Sequence, residues 1–202
     1  MTGPDPRTLA FYDRSAVDYA EKFATAPPRP GLARFIARIA PGGRVLDLGC
    51  GPGADAAAMA AAGLSPDPVD ASAAMVAFAR ATHGLPARQA GFDTAWGAAT
   101  YDGIWASYSL LHAPRADLPA LFAALALALR PGGTLYAGMK LGTGEHRDRL
   151  DRLYSYVSAD ELHHWLTAAG LRILDSTTAT LTGMAGTADP CIDVLAENPG
   201  NA

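Results

Sequence analysis

The apolar residues of this chain follow two different spacings. Residues 45–48 and 101–106 are short, nearly continuous apolar runs bounded by turn residues, which is typical of buried strands. Between residues 118 and 129, apolar residues recur every three or four positions, as they do on the buried face of a helix. The alternation of strand and helix patterns predicts an α/β domain.

The first forty residues carry two helical patterns ahead of the first strong strand. The positions that share one face are Tyr12, Ala16, Tyr19 and Phe23 in the first pattern, and Leu32, Phe35, Ile36 and Ile39 in the second. Prolines at positions 27, 28 and 30 separate the two patterns. We expect a helical extension over residues 1–40, within one domain that spans residues 1–202.

Two prolines weaken the second strand, predicted at residues 64–70. Pro66 and Pro68 stand two residues apart, so both missing N–H groups face the same neighbour. We expect weak pairing on that side and a short strand. Residues 85–92 are a weak third strand, and residues 171–180 and 192–197 are the last two. Residues 142–152 are a charged, glycine-containing connector, either a mobile cover or a solvated loop.

Helix starts are marked in two places. Ser72 stands directly before an apolar helical pattern, as an N-cap residue does. Ser158 and Glu161 have the spacing of a capping box.

A glycine-rich turn follows the first strong strand. Gly49, Gly51 and Gly53 alternate after residues 45–48, and an alanine-rich helical pattern begins at once. Glycines at this spacing allow positive φ angles and let a ligand approach the backbone closely. The turn delivers free N–H groups to a helix start, where an anionic group is stabilised. The dinucleotide fingerprint tolerates this spacing with alanine in its sixth position, so a nicotinamide or flavin ligand stays possible on spacing alone.

The run Val-Leu-Asp-Leu-Gly-Cys-Gly-Pro-Gly, which includes Asp47, resembles the first motif of class I S-adenosyl-L-methionine (SAM) methyltransferases. The resemblance extends from about Leu32 to the end of the chain. It implies a Rossmann-like, doubly wound three-layer α/β sandwich with a mostly parallel seven-stranded sheet, an antiparallel C-terminal strand and an N-terminal helical cap. It also implies SAM as cofactor and S-adenosyl-L-homocysteine (SAH) as product. The loop residues implied to bind SAM are Asp47, Gly49, Cys50, Gly51, Gly53 and Asp55.

An acidic residue stands where a ribose ligand is expected. Asp70 lies 17 residues beyond Gly53, and a carboxylate accepts hydrogen bonds from both ribose hydroxyls. The stretch from Asp70 to Met75 resembles the second motif of the family, in which the aspartate holds the ribose and the residues after it lie near adenine. Asp70, Ala71 and Met75 are therefore expected to bind the cofactor.

Other cofactor contacts are implied by the resemblance alone. Phe92 or Asp93 is expected to face adenine, although a plain surface turn there is an alternative. Tyr12 and Tyr19 are expected near the SAM carboxylate, or else they only pack the first helix. Residues 102–112 resemble the fourth strand of the family and the positions after it, which places Ala106, Ser107 and Leu110 at the cofactor.

His112 emerges where this resemblance places the transferred methyl group. Its unperturbed pKa lies near neutrality, which suits a general base that takes a proton from the acceptor. The alternative is that its ring hydrogen-bonds to a backbone carbonyl or orients the substrate.

Composition narrows the remaining classes. The chain has 202 residues, a net charge of −4 and no cluster of Lys and Arg, so we expect no nucleic-acid partner. Two cysteines and five scattered histidines predict neither a disulfide framework nor a metal site. No apolar run is long enough for a membrane span, and the N-terminus lacks an apolar signal, so we expect a cytoplasmic protein without membrane contacts.

We therefore expect a SAM-dependent methyltransferase that acts on a small-molecule acceptor by in-line displacement. Two alternatives remain open. One is a SAM-binding protein without transferase activity. The other is an NAD-dependent oxidoreductase, for which the chain shows no catalytic Tyr-Lys or His pair.

Overall fold

The computed structural model describes residues 3–23 and 29–200. The helices are α1 (Pro6–Phe23), α2 (Pro30–Ile36), α3 (Ala54–Ala61), α4 (Ala73–His83), α5 (Leu118–Ala128) and α6 (Ala159–Ala168). The strands are β1 (Arg44–Leu48), β2 (Ser65–Asp70), β3 (Arg88–Gln89), β4 (Tyr101–Ser107), β5 (Leu129–Lys140), β6 (Glu145–Arg147), β7 (Leu153–Ser155), β8 (Arg172–Thr182) and β9 (Ala188–Glu197).

Seven strands form one sheet in the order β3-β2-β1-β4-β5-β9-β8. β1 to β5 pair in parallel, and β9, the last strand of the chain, lies antiparallel between β5 and β8. The strand order reverses beside β1, where the chain leaves the β3 edge and returns as β4. Open sheets of this kind bind ligands at the carboxyl ends of the strands on either side of such a reversal. The predicted sandwich of class I methyltransferases is confirmed.

The pleat of each strand separates its side chains into two buried layers. Val45 packs on one face with α2 and α3, whereas its neighbour Leu46 packs on the other face with α5 and α6. Trp105 and Ile104 in β4 divide in the same way. This alternation along parallel strands that are covered on both faces explains why their sequences are almost continuously apolar.

Local start and stop signals act as expected at several helix ends. The Ser72 hydroxyl accepts a hydrogen bond from the N–H of Met75, and Gly84 ends α4 with φ 64°. Ser158 and Glu161 form the reciprocal capping box of α6. At α1, Asp5 accepts from the N–H of Thr8, and Pro6 occupies the first helical position.

The two N-terminal helices have different positions. α2 packs against the sheet through Leu32 and Phe35. α1 instead lies across the carboxyl ends of the strands and packs on α4. Of these two helices, α1 is the one that lies over the ligand edge.

Three segments can be compared with the sequence expectations, and weak pairing on the proline side of β2 is confirmed. β2 has six residues, of which 65–69 pair with β1, because Ser65, Asp67 and Val69 direct their backbone groups towards β1. The prolines face the other side, where β3 has only two residues and pairs only with Val69 and Asp70. The 142–152 segment was expected to be a loop, but it contains β6 and runs into β7, and these two strands form an antiparallel hairpin.

Candidate functional site

A cleft of about 770 Å³, partly open to solvent, lies at the carboxyl ends of β1, β2 and β4. Its floor comes from the loops after these strands, and α1 forms its roof through Thr8, Leu9, Tyr12 and Tyr19.

The glycine turn forms one wall and requires left-handed backbone at three positions. Gly49, Gly51 and Gly53 have φ values of 78°, 52° and 92°. A Cβ atom on Gly49 would overlap Ser109, whereas one on Gly51 would meet no atom within 4 Å and would enter the cleft. Gly53 is the N-cap residue of α3 and lies against Ala79, outside the cleft lining. The first two glycines therefore shape the cleft, and the third starts the helix.

Asp70 links the glycine turn to the start of α4. Its Oδ2 accepts from the N–H of Gly51 at 2.9 Å, and its Oδ1 accepts from the N–H of Ser72 at 2.8 Å. Both oxygens keep further lone pairs for a ligand. Burial raises the pKa of Asp70 above its ordinary value, although these hydrogen bonds oppose the shift.

Asp47 lies behind the glycine turn with 2% of its surface exposed. Its Oδ2 has no hydrogen-bond partner among the described residues. Burial raises the pKa of Asp47 well above its usual range, and the neighbouring Asp55 and Asp70 raise it further. A buried carboxyl without a partner is costly, so the site favours a group that brings positive charge or a hydrogen-bond donor.

Two hydroxyls at the end of β4 and just after it also have no hydrogen-bond partner among the described residues. Ser107 and Ser109 line the cleft, and their buried Oγ atoms have no partner among the described residues. Buried polar groups are normally hydrogen-bonded, so unpartnered atoms along one cleft are expected at a ligand site.

The residue between these serines holds an unusual conformation. Tyr108 lines the cleft with φ 56°, and its hydroxyl donates to Asp193 Oδ1 at 2.6 Å. The Arg29 guanidinium lies 5.0 Å from the Tyr108 ring centroid and also pairs with Asp55. This arrangement places a cation beside the same end of the cleft.

The opposite end of the cleft is more apolar. Met75, Ala90, Gly91 and Phe92 line it together with Pro4. Asp93 does not line the cleft and lies beside Gly91. Of the two residues predicted to face adenine, Phe92 is therefore the one on the cleft.

A hydrogen-bonded chain joins α1 to His112. The carbonyl of Leu153 is an acceptor only, so the contact of 2.7 Å with Nδ1 places the proton on Nδ1 of the neutral ring. Nε2 is then an acceptor, and the Tyr12 hydroxyl donates a hydrogen bond to it at 2.8 Å. Burial lowers the pKa of His112 to about 4. His112 is therefore neutral at physiological pH, and the lone pair on its Nε2 atom accepts the hydrogen bond from Tyr12.

A buried arginine supports Tyr12 from the other side. Arg152 has 2% of its surface exposed and donates to the Tyr12 hydroxyl at 3.1 Å. It is paired with Asp148 at 2.6 Å, and its guanidinium contacts the rings of Phe11 and Tyr154. The 142–152 segment thus contributes a largely buried ion pair to the site.

The structure brings together ten of the predicted site residues on the cleft. They are Tyr12, Tyr19, Gly49, Gly51, Asp70, Ala71, Met75, Phe92, Ser107 and His112. The other seven lie outside its lining: Asp47, Cys50, Gly53, Asp55, Asp93, Ala106 and Leu110. Ala106 and Leu110 belong to the core, and Asp55 accepts from Trp105 Nε1.

Sequence reasoning missed several residues of the site. Tyr108 and Ser109 stand between two predicted residues, so their position directly after β4 was an available signal. Arg152 and Arg29 carried no local signal of a role in the site, because Tyr12 and Asp55, the residues that they contact there, lie far away in the sequence.

Comparisons with known proteins identify the family and the fold. Residues 19–176 match a family model described as "Methyltransferase domain". No curated protein matches the sequence.

Among the described residues no helix is both long and apolar enough to cross a membrane, and no cluster of His, Cys, Asp or Glu is placed to hold a metal ion.

Solved structures share the fold at low sequence identity. The Burkholderia thailandensis 1,6-didemethyltoxoflavin-N1-methyltransferase, crystallised with 1,6-didemethyltoxoflavin and SAH, is 22% identical with a TM-score of 0.76, over 95% of this chain and 87% of that chain. A Mesorhizobium loti SAM-dependent methyltransferase is 19% identical with a TM-score of 0.66, over 84% and 98%. The [4+2]-cyclase SpnF is 17% identical with a TM-score of 0.71, over 100% of both chains.

Fold, glycine turn and cleft together define a class I SAM-dependent methyltransferase. The family match covers most of the chain, and this chain belongs to the methyltransferase-domain family.

Proposed function

We propose that this enzyme transfers the methyl group of SAM to a small-molecule acceptor and releases SAH. The proposal rests on one observation: Asp70, the left-handed glycine turn and three unpartnered polar atoms lie at one edge of the cleft. Two of these atoms belong to Ser107 and Ser109, and the third belongs to Asp47 behind the turn.

The residues present fit SAM. The free lone pairs of Asp70 suit the ribose hydroxyls, and Met75 and Phe92 supply an apolar contact for adenine. Asp47 has an unpartnered carboxyl oxygen behind the glycine turn, which suits a ligand that carries a positive sulfonium and an ammonium group, and Arg29 provides a cation for the ligand's carboxylate. When bound, SAM supplies an electrophilic methyl group on sulfur.

The enzyme's own contribution to the reaction is to position the groups. Tyr12, Tyr19 and Tyr108 enclose the cleft beside His112, so water is displaced from the region where the acceptor meets the methyl group. Holding two reactants in line removes much of the entropic barrier to displacement.

A small-molecule acceptor is supported by the roof of the cleft. α1 crosses over the cleft through Thr8, Leu9, Tyr12 and Tyr19, which limits the opening through which an acceptor can enter. The B. thailandensis enzyme of the same fold binds a small heterocycle. A cytoplasmic location remains a prediction from the sequence.

Family membership favours a methyltransferase over the nicotinamide oxidoreductase. The cyclase SpnF shares this fold, so likeness of fold alone does not define the reaction. Product analysis must therefore accompany binding.

Calorimetric titration with SAM, SAH and NAD tests the cofactor, and mass-spectrometric detection of SAH with a panel of thiols, ring nitrogens, phenols and alcohols tests transfer. We expect binding of SAM and SAH, none of NAD, and SAH formation with at least one acceptor. Binding of NAD alone, or SAM binding without SAH from any acceptor class, would overturn the proposal.

A further inference from the structure

Methyl transfer to a neutral hydroxyl or thiol needs a group that takes the proton away, because the protonated oxygen or sulfur is a poor nucleophile. Among the described residues that line the cleft, the titratable side chains are Asp5, Asp70, His112 and the phenols of Tyr12, Tyr19 and Tyr108. Their hydrogen bonds decide whether any of them can do this.

His112 has the right side chain but no free lone pair. Nδ1 carries the proton that is donated to Leu153, and Nε2 accepts the hydroxyl proton of Tyr12. The charged groups that act on it are Arg152, Asp148 and Lys140, and two of these three are cations that disfavour a further positive charge. The neighbouring rings are those of Tyr12 and Tyr154.

The two carboxylates that line the cleft, Asp5 and Asp70, already accept hydrogen bonds from other groups of the protein. Asp5 accepts two hydrogen bonds from the Arg147 guanidinium and two from Thr8, and the Arg147 bonds hold its pKa well below the usual range. Asp70 is bound to the N–H groups of Gly51 and Ser72 at the ribose position.

The phenols are neutral donors at physiological pH. Burial raises the pKa values of Tyr12, Tyr19 and Tyr108 above the ordinary tyrosine value. Residues 24–28, outside the described ranges, are Ala, Thr, Ala, Pro and Pro, and none of these side chains is a base.

We propose that the acceptor is a nucleophile whose attacking atom already carries a free lone pair at the reaction pH, namely a thiolate or an aromatic ring nitrogen, and that His112 holds Tyr12 in place instead of removing a proton. This inference rests on the proposed function. Tyr12 and His112 are then positioning residues that keep α1 over the cleft.

No proton needs to leave in this reaction. The acceptor lone pair forms the new bond to the methyl carbon, the carbon–sulfur bond of SAM breaks, and its electron pair stays on sulfur. A thiolate gives a neutral thioether, and a ring nitrogen gives an N-methylated cation.

A first experiment needs no acceptor. Protein labelled with ¹⁵N-histidine is titrated with and without SAH, and the His112 signals are assigned with His112→Ala. We expect a neutral ring protonated on Nδ1 from about pH 5.5 to 8, because its pKa lies near 4. Titration within this range, or a proton on Nε2, would overturn the proposal. His163, which is on α6 away from the cleft, serves as the internal reference.

The second experiment measures SAH formation with 4-nitrothiophenol, isoquinoline and 4-nitrobenzyl alcohol. We expect product from the thiolate or the ring nitrogen and none from the alcohol. Product from the alcohol alone would overturn the inference and leave the proposed function intact. Absence of SAM binding would instead overturn the proposed function.

The third experiment compares Tyr12→Phe, His112→Ala and the double variant on a methylated acceptor. Because both single changes break the same hydrogen bond, we expect equal losses of kcat, about 2- to 10-fold, and no further loss in the double variant. His163→Ala is the control and should keep wild-type turnover. A much larger loss in His112→Ala than in Tyr12→Phe, with a pH inflection that disappears in His112→Ala, would identify His112 as a base and refute the proposal.

Discussion

Gly49→Ala is the substitution for which the structure makes the sharpest statement about stability. Gly49 has φ 78°, and an added Cβ would overlap the Cβ of Ser109. Gly51→Ala is the matched comparison, because its φ is 52° and an added Cβ meets nothing within 4 Å.

The two substitutions separate backbone strain from steric overlap. A left-handed alanine costs about 1–2 kcal/mol, and overpacking costs about 1–3 kcal/mol. Gly49→Ala should therefore lower the free energy of unfolding by about 2–5 kcal/mol, and Gly51→Ala by about 1–2 kcal/mol. Gly51→Ala should instead weaken SAM binding more than its stability loss suggests, because its methyl group enters the cleft.

Urea unfolding of both variants, of Ser109→Gly and of the double variant Gly49→Ala/Ser109→Gly measures these terms. Removing the Ser109 side chain removes the overlap, so the double variant should recover about 1–3 kcal/mol relative to additive behaviour. Equal stability of Gly49→Ala and Gly51→Ala, together with strict additivity in the double variant, would refute the reasoning.

Three further predictions concern charge. The pKa of Asp47 is raised in the folded protein, so the folded state binds the proton more tightly and loses stability as pH rises above about 4. Urea unfolding between about pH 4 and 8 should show wild type losing stability relative to Asp47→Asn, and a constant difference would contradict this. Arg152→Met leaves Asp148 without its buried cation and should cost about 3–5 kcal/mol of unfolding free energy. The control Arg7→Met removes an exposed pair and should cost about 1 kcal/mol or less. Equal losses in the two variants would refute the burial argument. Asp70→Ala should weaken SAM binding in calorimetry by about 1–3 kcal/mol, and unchanged affinity would remove the ribose assignment.

Features that depend on adjacent residues could be predicted from the sequence. The turn at Gly49 and Gly51, the cap at Ser72 and the position of Asp70 all follow from short motifs, because neighbouring residues determine their backbone conformation and hydrogen bonds.

Features that depend on distant contacts could not be predicted. Arg152 stands in a charged segment that has no core pattern, and only the fold brings it beneath Tyr12, 140 positions earlier. The hairpin of β6 and β7 has only three residues in each strand, too few for a periodic signal. The occupied Nε2 of His112 likewise depends on α1 lying over the cleft.

The prolines of β2 have a consequence for solubility. Pro66 and Pro68 face the side on which the short β3 ends, so that side lacks a strand partner along their length. A strand edge with free N–H groups can recruit a strand from another molecule and begin aggregation. These two positions have no N–H to offer, so the gap beside β3 is a poor template for an intruding strand. Substituting both prolines with valine would therefore return two backbone N–H donors to this side of β2, close to Asp70.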